Sequence, residues 1–235
     1  MTENIAALFA AAIAADPTRP LLTWYDDATG ERTELSGATL ANWVAKTANL
    51  LVDAAGVAPG DPAGVLLPPH WQTAAVLLGC WSAGLAVDGA RPGERAGHPV
   101  EVLFAAADRV AEADGWPAGE RYALALAPLA APVRDLPAGW TDYVIEVRGH
   151  GDHFTPYPAA GPQDPVLVDL AAERAGELGI GAGDRVLVDA ARHPDPVDWL
   201  LAPLSVGAST VLCGNLAPDR LADRAAAEKV TARLT

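Results

Sequence analysis

A pattern of glycine and aspartate occurs twice in this chain, and the two copies lie roughly 120 residues apart. In the first copy, Asp61 precedes Gly84 by 23 residues. In the second copy, Asp184 precedes Gly207 by the same 23 residues. Each aspartate also follows two glycines spaced four residues apart, which are Gly56 and Gly60 in one copy and Gly179 and Gly183 in the other. Equal spacing with different intervening residues indicates a duplicated supersecondary unit, so we predict that the chain folds as two related halves.

Each copy of the pattern is typical of a strand, a helix and a second strand. The first copy contains "AGVLLP", "HWQTAAVLLGCWSAG" and "LAVD". The second contains "RVLVDA", "VDWLLAPLSVG" and "STVLC", and Pro203 is expected to kink its helix. Such a unit favours a right-handed crossover between parallel strands. The predicted fold class is therefore α/β, with two pseudo-repeated, layered α/β lobes and mostly parallel sheets.

The remaining segments complete an alternation of helices and strands. The N-terminal "IAALFAAAIA" is predicted to be an amphipathic helix, and two β-favouring runs around residues 26–30 predict a hairpin. Ser36 is a suitable N-cap for the next helix, which Gly56 would end. "HPVEVLFAAADRV" is predicted as a helix, and "RYALALAPL" and "TDYVIEVRG" as strands. "DPVLVDLAAERAGELG" predicts a helix that ends at Gly179, and the last helix has Pro218 in its first turn.

The stretch 149–165 marks the predicted boundary between the two halves. It carries four prolines and three glycines, a composition typical of a connecting loop. We therefore predict a first α/β lobe at 1–148, which includes the N-terminal helix and the hairpin. Residues 149–165 form a loop-rich connection, and a second α/β lobe occupies 166–235.

Composition limits the classes of partner. The chain has 30 acidic and 16 basic residues, a formal net charge of −14, and no local cluster of Lys and Arg. That field repels phosphate backbones, so nucleic acid and anionic membranes are excluded as expected partners. No apolar stretch reaches membrane-spanning length, and the N-terminal segment lacks the basic region of a signal peptide. Cys80 and Cys213 lie in apolar surroundings, which indicates reduced thiols in a soluble cytoplasmic protein.

Several motifs together resemble the N-terminal domain of adenylate-forming enzymes, the superfamily of acyl-CoA synthetases, peptide-synthetase adenylation domains and luciferases. The first lobe of that family is similar to "TELSGATLANWVAKTANLLVDAAGVAPGDPAGVLLP" followed by "SAGLAVD". The second lobe is similar to "GIGAGDRVLV", "GASTVLC" and "EKVT". The two lobes of the family are themselves pseudo-repeats. The resemblance therefore implies an acyl-CoA-synthetase-like fold and explains the doubled pattern.

The chain departs from that family where the family does its chemistry. Family members carry a Ser/Thr/Gly-rich phosphate loop with a lysine between the lobes, and here the sequence reads "AAGPQDPVLVDLAAERAGELG". The sequence also ends at Thr235, before the family's adenine-binding segment and its C-terminal domain with the catalytic lysine. We therefore expect a catalytically inactive binding or interaction module, without a cofactor, that acts with a protein partner or as a homo-oligomer. The alternatives are a small-molecule binder for an acyl group or a nucleotide, or half of a split acyl-CoA synthetase.

Few residues qualify as candidate site residues. His193 matches a position near the acyl pocket where acyl-CoA synthetases often have histidine or an aromatic residue, so the resemblance implies a binding role; a solvent-facing loop is the alternative. The run "HGDHF" brings His150, Asp152 and His153 within four residues, which are suitable ligand types for a divalent metal. No second cluster supplies further ligands, so no metal site is expected and these three stay candidates for ligand binding only. The two Gly-Asp pairs precede strands, and we interpret them as turns rather than phosphate loops.

Overall fold

The computed structural model describes residues 4–89, 98–157 and 161–235. The α-helices in these ranges are Ile5–Ile13 (α1), Gly37–Asn49 (α2), Trp71–Ser82 (α3), Val110–Ala113 (α4), Tyr143–Arg148 (α5), Asp164–Glu177 (α6), Ala202–Ser205 (α7) and Leu221–Ala227 (α8). The strands are Pro20–Asp26 (β1), Glu31–Ser36 (β2), Pro62–Leu66 (β3), Ala86–Asp88 (β4), Val100–Ala106 (β5), Ala118–Leu124 (β6), Thr141–Asp142 (β7), Arg185–Asp189 (β8), Ser209–Gly214 (β9) and Ala232–Leu234 (β10). Two π-helical segments, Leu50–Ala54 and Val197–Leu201, extend α2 and precede α7.

The chain divides into two compact units, each with its own sheet. Unit 1 consists of residues 1–40, 69–74 and 164–235, and its sheet, sheet 1, has the strand order β10-β8-β9-β1-β2. The pairs β10–β8, β8–β9 and β9–β1 are parallel, and only the β1–β2 hairpin is antiparallel. Unit 2 consists of residues 41–68 and 75–163. Its sheet, sheet 2, has the order β4-β3-β5-β6-β7 and is parallel throughout. The predicted α/β class with mostly parallel sheets is confirmed.

The duplicated glycine and aspartate pattern forms the same turn twice. The carboxylate of Asp61 accepts a hydrogen bond from the amide of Ala58 (2.7 Å), and the carboxylate of Asp184 accepts one from Gly181 (2.6 Å). The glycine before each aspartate has a left-handed backbone, with φ of +94° at Gly60 and +77° at Gly183. The prediction that these pairs are turns is confirmed.

The two copies also return to their strands by equivalent backbone bonds. The amide of Ala86 donates to the carbonyl of Asp61 (2.9 Å), and the amide of Ser209 donates to that of Asp184 (2.8 Å). Each bond ties the beginning of the returning strand to the turn before the first strand. The two strand, helix and strand units are therefore built alike, as the repeat predicts. Pro203 lies in the first turn of α7, directly after the π-helical segment that replaces regular helix there.

The hairpin does not belong to the sheet of the first half. The predicted lobe 1–148 includes residues 20–36, but β1 pairs in parallel with β9, with Trp24 opposite Leu212. The physical reason is burial: Leu22 and Trp24 are 2% and 7% exposed, and β1 lies between β9 and β2 in sheet 1. The hairpin therefore completes unit 1 instead of opening unit 2.

Two secondary-structure predictions in unit 2 are wrong. The segment expected as a helix at "HPVEVLFAAADRV" contains strand β5, which lies between β3 and β6. A central parallel strand is covered on both faces, so its sequence is a continuous apolar run that resembles a buried helix. The segment expected as a strand at "TDYVIEVRG" contributes only two strand residues before α5. Asp142 causes the change, because its carboxylate accepts a hydrogen bond from the amide of Ile145 (2.8 Å) and caps the helix.

The predicted ends of α2 and the predicted free thiols are confirmed, whereas Pro218 lies in the 3-10 turn Pro218–Arg220 that precedes α8. Ser36 caps α2 by accepting a hydrogen bond from the amide of Thr39 (3.1 Å), and Gly56 follows its π-helical end with φ of +67°. Both cysteines are buried free thiols, and burial raises the pKa of Cys213 to about 11. Among the helices of the described residues, none combines the length and the apolar character needed to cross a membrane.

Candidate functional site

His193 lies in the turn that follows the carboxyl end of β8. Its amide donates to the carbonyl of Asp189, the last residue of the strand (3.0 Å), and the carboxylate of Asp189 accepts from the amide of Ala191 (3.0 Å). Asp195 then begins the π-helical segment by accepting from the amide of Val197 (2.9 Å). These bonds fix the turn, and with it the direction of the imidazole.

The imidazole of His193 is one end of a row of ionisable groups, which we call the His193 row: His193, Asp198, Arg174 and Glu177. Nδ1 of His193 lies 2.9 Å from Oδ2 of Asp198, and Nε of Arg174 donates to Oδ1 of the same carboxylate (2.7 Å). Nη1 of Arg174 also donates to Glu177 (2.7 Å). Burial opposes ionisation of Asp198, but hydrogen bonds from Arg174 and His193 hold the pKa of this carboxyl below its usual range. Asp198 is therefore ionised at neutral pH.

An ionised Asp198 determines the chemistry of the histidine. The carboxylate can only accept, so Nδ1 of His193 carries the proton and donates it, and in the neutral ring Nε2 keeps its lone pair. The imidazole is 20% exposed, and Nε2 has no hydrogen-bond partner among the described residues. The row can therefore accept a hydrogen bond or a proton from a ligand at Nε2. In the described ranges, no serine or threonine hydroxyl and no cysteine thiol is hydrogen-bonded to His193, so a nucleophile of the acyl-transfer kind is not assembled with it.

The other predicted residues lie in the loop after α5, in unit 2. Asp152 and His153 are exposed and His150 is half-buried. Their backbone is anchored to the end of α2: Nζ of Lys46 donates to the carbonyl of His150 (2.5 Å), and Nδ2 of Asn49 donates to that of His153 (3.0 Å). Across residues 4–89, 98–157 and 161–235, no three or more His, Cys, Asp or Glu side chains are grouped so that they could hold a metal ion.

Sequence reasoning missed an ion network around the buried carboxylate of Glu228 in unit 1, which we call the Glu228 network: Tyr25, Arg32, Arg185 and Glu228. The Glu228 carboxylate accepts from the hydroxyl of Tyr25 (2.7 Å), from Nη2 of Arg32 (2.9 Å) and from Nη2 of Arg185. Burial alone would raise the pKa of Glu228, but these three hydrogen bonds lower it to about 2. Arg32 and Arg185 are 196 and 43 residues from Glu228 in sequence, so no local signal joins them.

The connection to the second half contains no family-like phosphate loop. From 149 to 165 the sequence has Thr155 but no serine, and it has no lysine. In the described part of this segment, the side-chain amide of Gln163 pairs with both backbone groups of Val87, the amide (2.9 Å) and the carbonyl (3.1 Å). Helix α6 begins at the next residue, Asp164, whose carboxylate lies in the first turn and is 2% exposed. Residues 158–160 lie outside the described residues.

Comparison with known proteins agrees with this architecture. Residues 9–107 match the family model described as "AMP-binding enzyme". A "TIGR03089 family protein" of Mycobacterium tuberculosis is 46% identical over 232 residues, which cover 92% of each of the two chains. The fold is similar to a Brucella canis acyl-CoA synthetase (TM-score 0.72, 20% identity, 98% of this chain) and to a Mycobacterium tuberculosis fatty acyl CoA synthetase (TM-score 0.68, 15% identity, 97% of this chain).

These two solved synthetases are longer than this chain, which spans 46% and 48% of them. At such identities the structural likeness shows the shared fold. The identity to the mycobacterial relative is high enough, over nearly the whole of both chains, to show common membership. The chain therefore belongs to the same family as that mycobacterial protein, and this family is related to the N-terminal domain of adenylate-forming enzymes.

Proposed function

We propose that the protein is a binding or interaction module built on the adenylate-forming scaffold, and that it does not adenylate a substrate by itself. The observation that supports this proposal is the entry into α6. Where the family has its phosphate loop, the sequence of this protein enters a helix whose first turn carries the buried carboxylate of Asp164.

The physical argument concerns charge at the start of that helix. A helix N-terminus attracts anions through its unpaired amides and its partial positive charge. Asp164 places a carboxyl group in that first turn, where its oxygens occupy space that a nucleotide phosphate would need. Stabilisation of the charge at phosphorus in adenylation needs cationic groups and Mg²⁺, and the connecting segment 149–165 has no lysine or arginine.

Three exposed apolar side chains support the interaction part of the proposal. Leu129 is 91% exposed, Val166 70% and Ile145 60%. Leu129 also holds a left-handed backbone, with φ of 59°, in a segment that includes Pro128. An exposed apolar side chain gains free energy when a partner covers it, so these three positions are candidates for contact with a protein surface. The reduced, buried thiols favour a cytoplasmic location.

The test is ATP–pyrophosphate exchange with a panel of acyl acids, with an acyl-CoA synthetase assayed in parallel. We expect exchange at background for this protein. Thermal unfolding with ATP·Mg, AMP and coenzyme A gives an independent measure. A ligand held at a hundred times its dissociation constant stabilises the fold by about 2.7 kcal/mol, which is a shift of several degrees. Exchange above background would contradict the proposal, and a shift with ATP·Mg would contradict the argument that the start of α6 excludes a nucleotide phosphate.

A further inference from the structure

Unit 1 contains a cavity of about 360 Å³ at the amino ends of its parallel strands. It lies beside Pro20, Arg185 and Ser209, which begin β1, β8 and β9. The volume falls within the range of roughly 300–1,000 Å³ that is typical of small-molecule sites. His193 follows the carboxyl end of β8, so this cavity belongs to the opposite edge of sheet 1 and is not part of the His193 row.

The cavity is cationic in an otherwise acidic protein. Its walls carry four basic side chains and two carboxylates: Arg19, Arg32, Arg185 and Lys229, with Glu34 and Glu228. Four of the 16 basic residues of a chain with net charge −14 therefore surround one small space. An anion is attracted to such a place more strongly than to the rest of the surface, where the field repels it.

Hydrogen bonding shows which of these cations are free to bind. Nη2 of Arg185 is held by Glu228 and by the hydroxyl of Thr23 (3.0 Å), and its Nε is held by the carbonyl of Glu228 (2.7 Å). Nε and Nη2 of Arg32 are also used, by Tyr25 and by both glutamates, which leaves Nη1.

The other two cations of the cavity, Arg19 and Lys229, are exposed. Their side chains have no hydrogen bond or ion pair among the described residues. Together with Nη1 of Arg32, three donor groups therefore remain for a ligand.

The arrangement of the free donors points to a particular anion. They come from three places in the chain: Arg19 precedes β1, Arg32 lies in β2, and Lys229 is the second residue after α8. A carboxylate is planar and is satisfied by one arginine fork, whereas a phosphate dianion has three terminal oxygens directed to different sides. We propose that this cavity binds the phosphate group of a small phosphate monoester through Arg19, Arg32 and Lys229. The rest of the volume, beside Pro20 and Ala227, accommodates the organic part.

Lys229 offers a clean test, because its backbone is in a conformation that favours glycine. Its φ is +53°, and it follows α8 in a closing turn in which Val230 donates to the carbonyl of Ala225 (2.9 Å). Glycine adopts that conformation without strain, so Lys229→Gly removes the ammonium and is expected to leave the unfolding temperature unchanged or higher. A loss of binding in this variant therefore reports the ammonium group and not the fold.

The experiment is isothermal titration calorimetry of the full chain with glycerol 3-phosphate at pH 7.5 and low ionic strength, where surface charges are least screened. Inorganic phosphate, succinate and glycerol are titrated in parallel. We expect saturable binding of glycerol 3-phosphate and competition by inorganic phosphate, but not by succinate or glycerol. Lys229→Gly and Arg19→Ala should each weaken binding about tenfold, as expected for loss of one charged hydrogen bond. Arg192→Ala removes an exposed cation outside the cavity and should change nothing.

Three results would overturn the assignment: no saturable binding of glycerol 3-phosphate, equal weakening in Arg192→Ala, or binding of succinate as tight as that of glycerol 3-phosphate. The inference goes beyond the proposed function and is separable from it. Pyrophosphate exchange can stay at background whether or not the cavity binds a phosphate monoester, and binding without exchange supports both proposals.

Discussion

Replacement of Glu228 by glutamine is expected to lower the free energy of unfolding by about 3 kcal/mol, because it leaves two guanidinium groups without their buried counter-charge. The side chain of Glu228 is 8% exposed, and Arg185 beside it is 16% exposed. For a chain of this size the loss corresponds to a fall of about 10 °C in the unfolding temperature. Urea unfolding followed by circular dichroism at pH 7 measures the effect.

Glu34→Gln is the matched control, since Glu34 bonds to the same arginine. Nη2 of Arg32 lies 2.6 Å from Glu34, but the glutamate is 34% exposed and the arginine 44%. Exposed ion pairs contribute little, so the expected loss is below about 1 kcal/mol. Both variants remove a carboxylate from Arg32, but Glu228 is buried and also neutralises Arg185, whereas Glu34 is partly exposed. Equal losses would contradict the view that burial makes the Glu228 network important.

The effect of Glu228 should also depend on pH. Its pKa is lowered from 4.5 to about 2 in the folded protein. A carboxyl with a lowered pKa stabilises the fold above its unfolded value, and that contribution is lost as the pH falls through the folded value. The difference between wild type and Glu228→Gln should therefore be full at pH 6 and should shrink between about pH 5 and pH 2. A difference that stays constant over that range would contradict the assignment.

The parts of the fold that sequence predicted are those determined locally. The Gly-Asp turns could be recognised because Asp61 and Asp184 bond to amides only three residues away. The partner of the hairpin could not be recognised, because β1 and β9 lie at opposite ends of the chain and no local pattern marks their parallel pairing. Strand β5 was mistaken for a helix because a strand covered on both faces loses the alternation that identifies strands.

In the candidate site, too, sequence predicted only what is determined by nearby residues or by the resemblance. The resemblance indicated His193, and its partner Asp198 is only five residues away. Arg174, which keeps Asp198 ionised, lies on a separate helix and has no sequence mark that distinguishes it from other arginines. The cationic cavity was missed for the same reason: Arg19, Arg32 and Lys229 come together only when sheet 1 is assembled.

Replacement of Gly79 by alanine is expected to destabilise the protein by about 2 kcal/mol, although the helix propensity of alanine is about 1 kcal/mol more favourable than that of glycine. An added Cβ would lie 2.6 Å from Cβ and Cγ2 of Thr47. Thr47 cannot move away freely, because its hydroxyl donates to the carbonyl of Trp43 (2.8 Å) and is hydrogen-bonded to the hydroxyl of Tyr143 (2.7 Å). Gly79 therefore allows α3 to pack closely against Thr47 of α2, although glycine lowers the helix propensity of α3.

Gly176→Ala supplies the control of opposite sign. Gly176 lies in α6, is exposed, and has nothing within 4 Å of an added Cβ. The substitution should stabilise the protein by about 0.5 kcal/mol, because only helix propensity changes. Urea unfolding of both variants should therefore displace the midpoint in opposite directions. If Gly79→Ala stabilised the protein as Gly176→Ala does, the space beside Thr47 would be large enough for a methyl group. Close packing against Thr47 would then not explain the glycine at position 79.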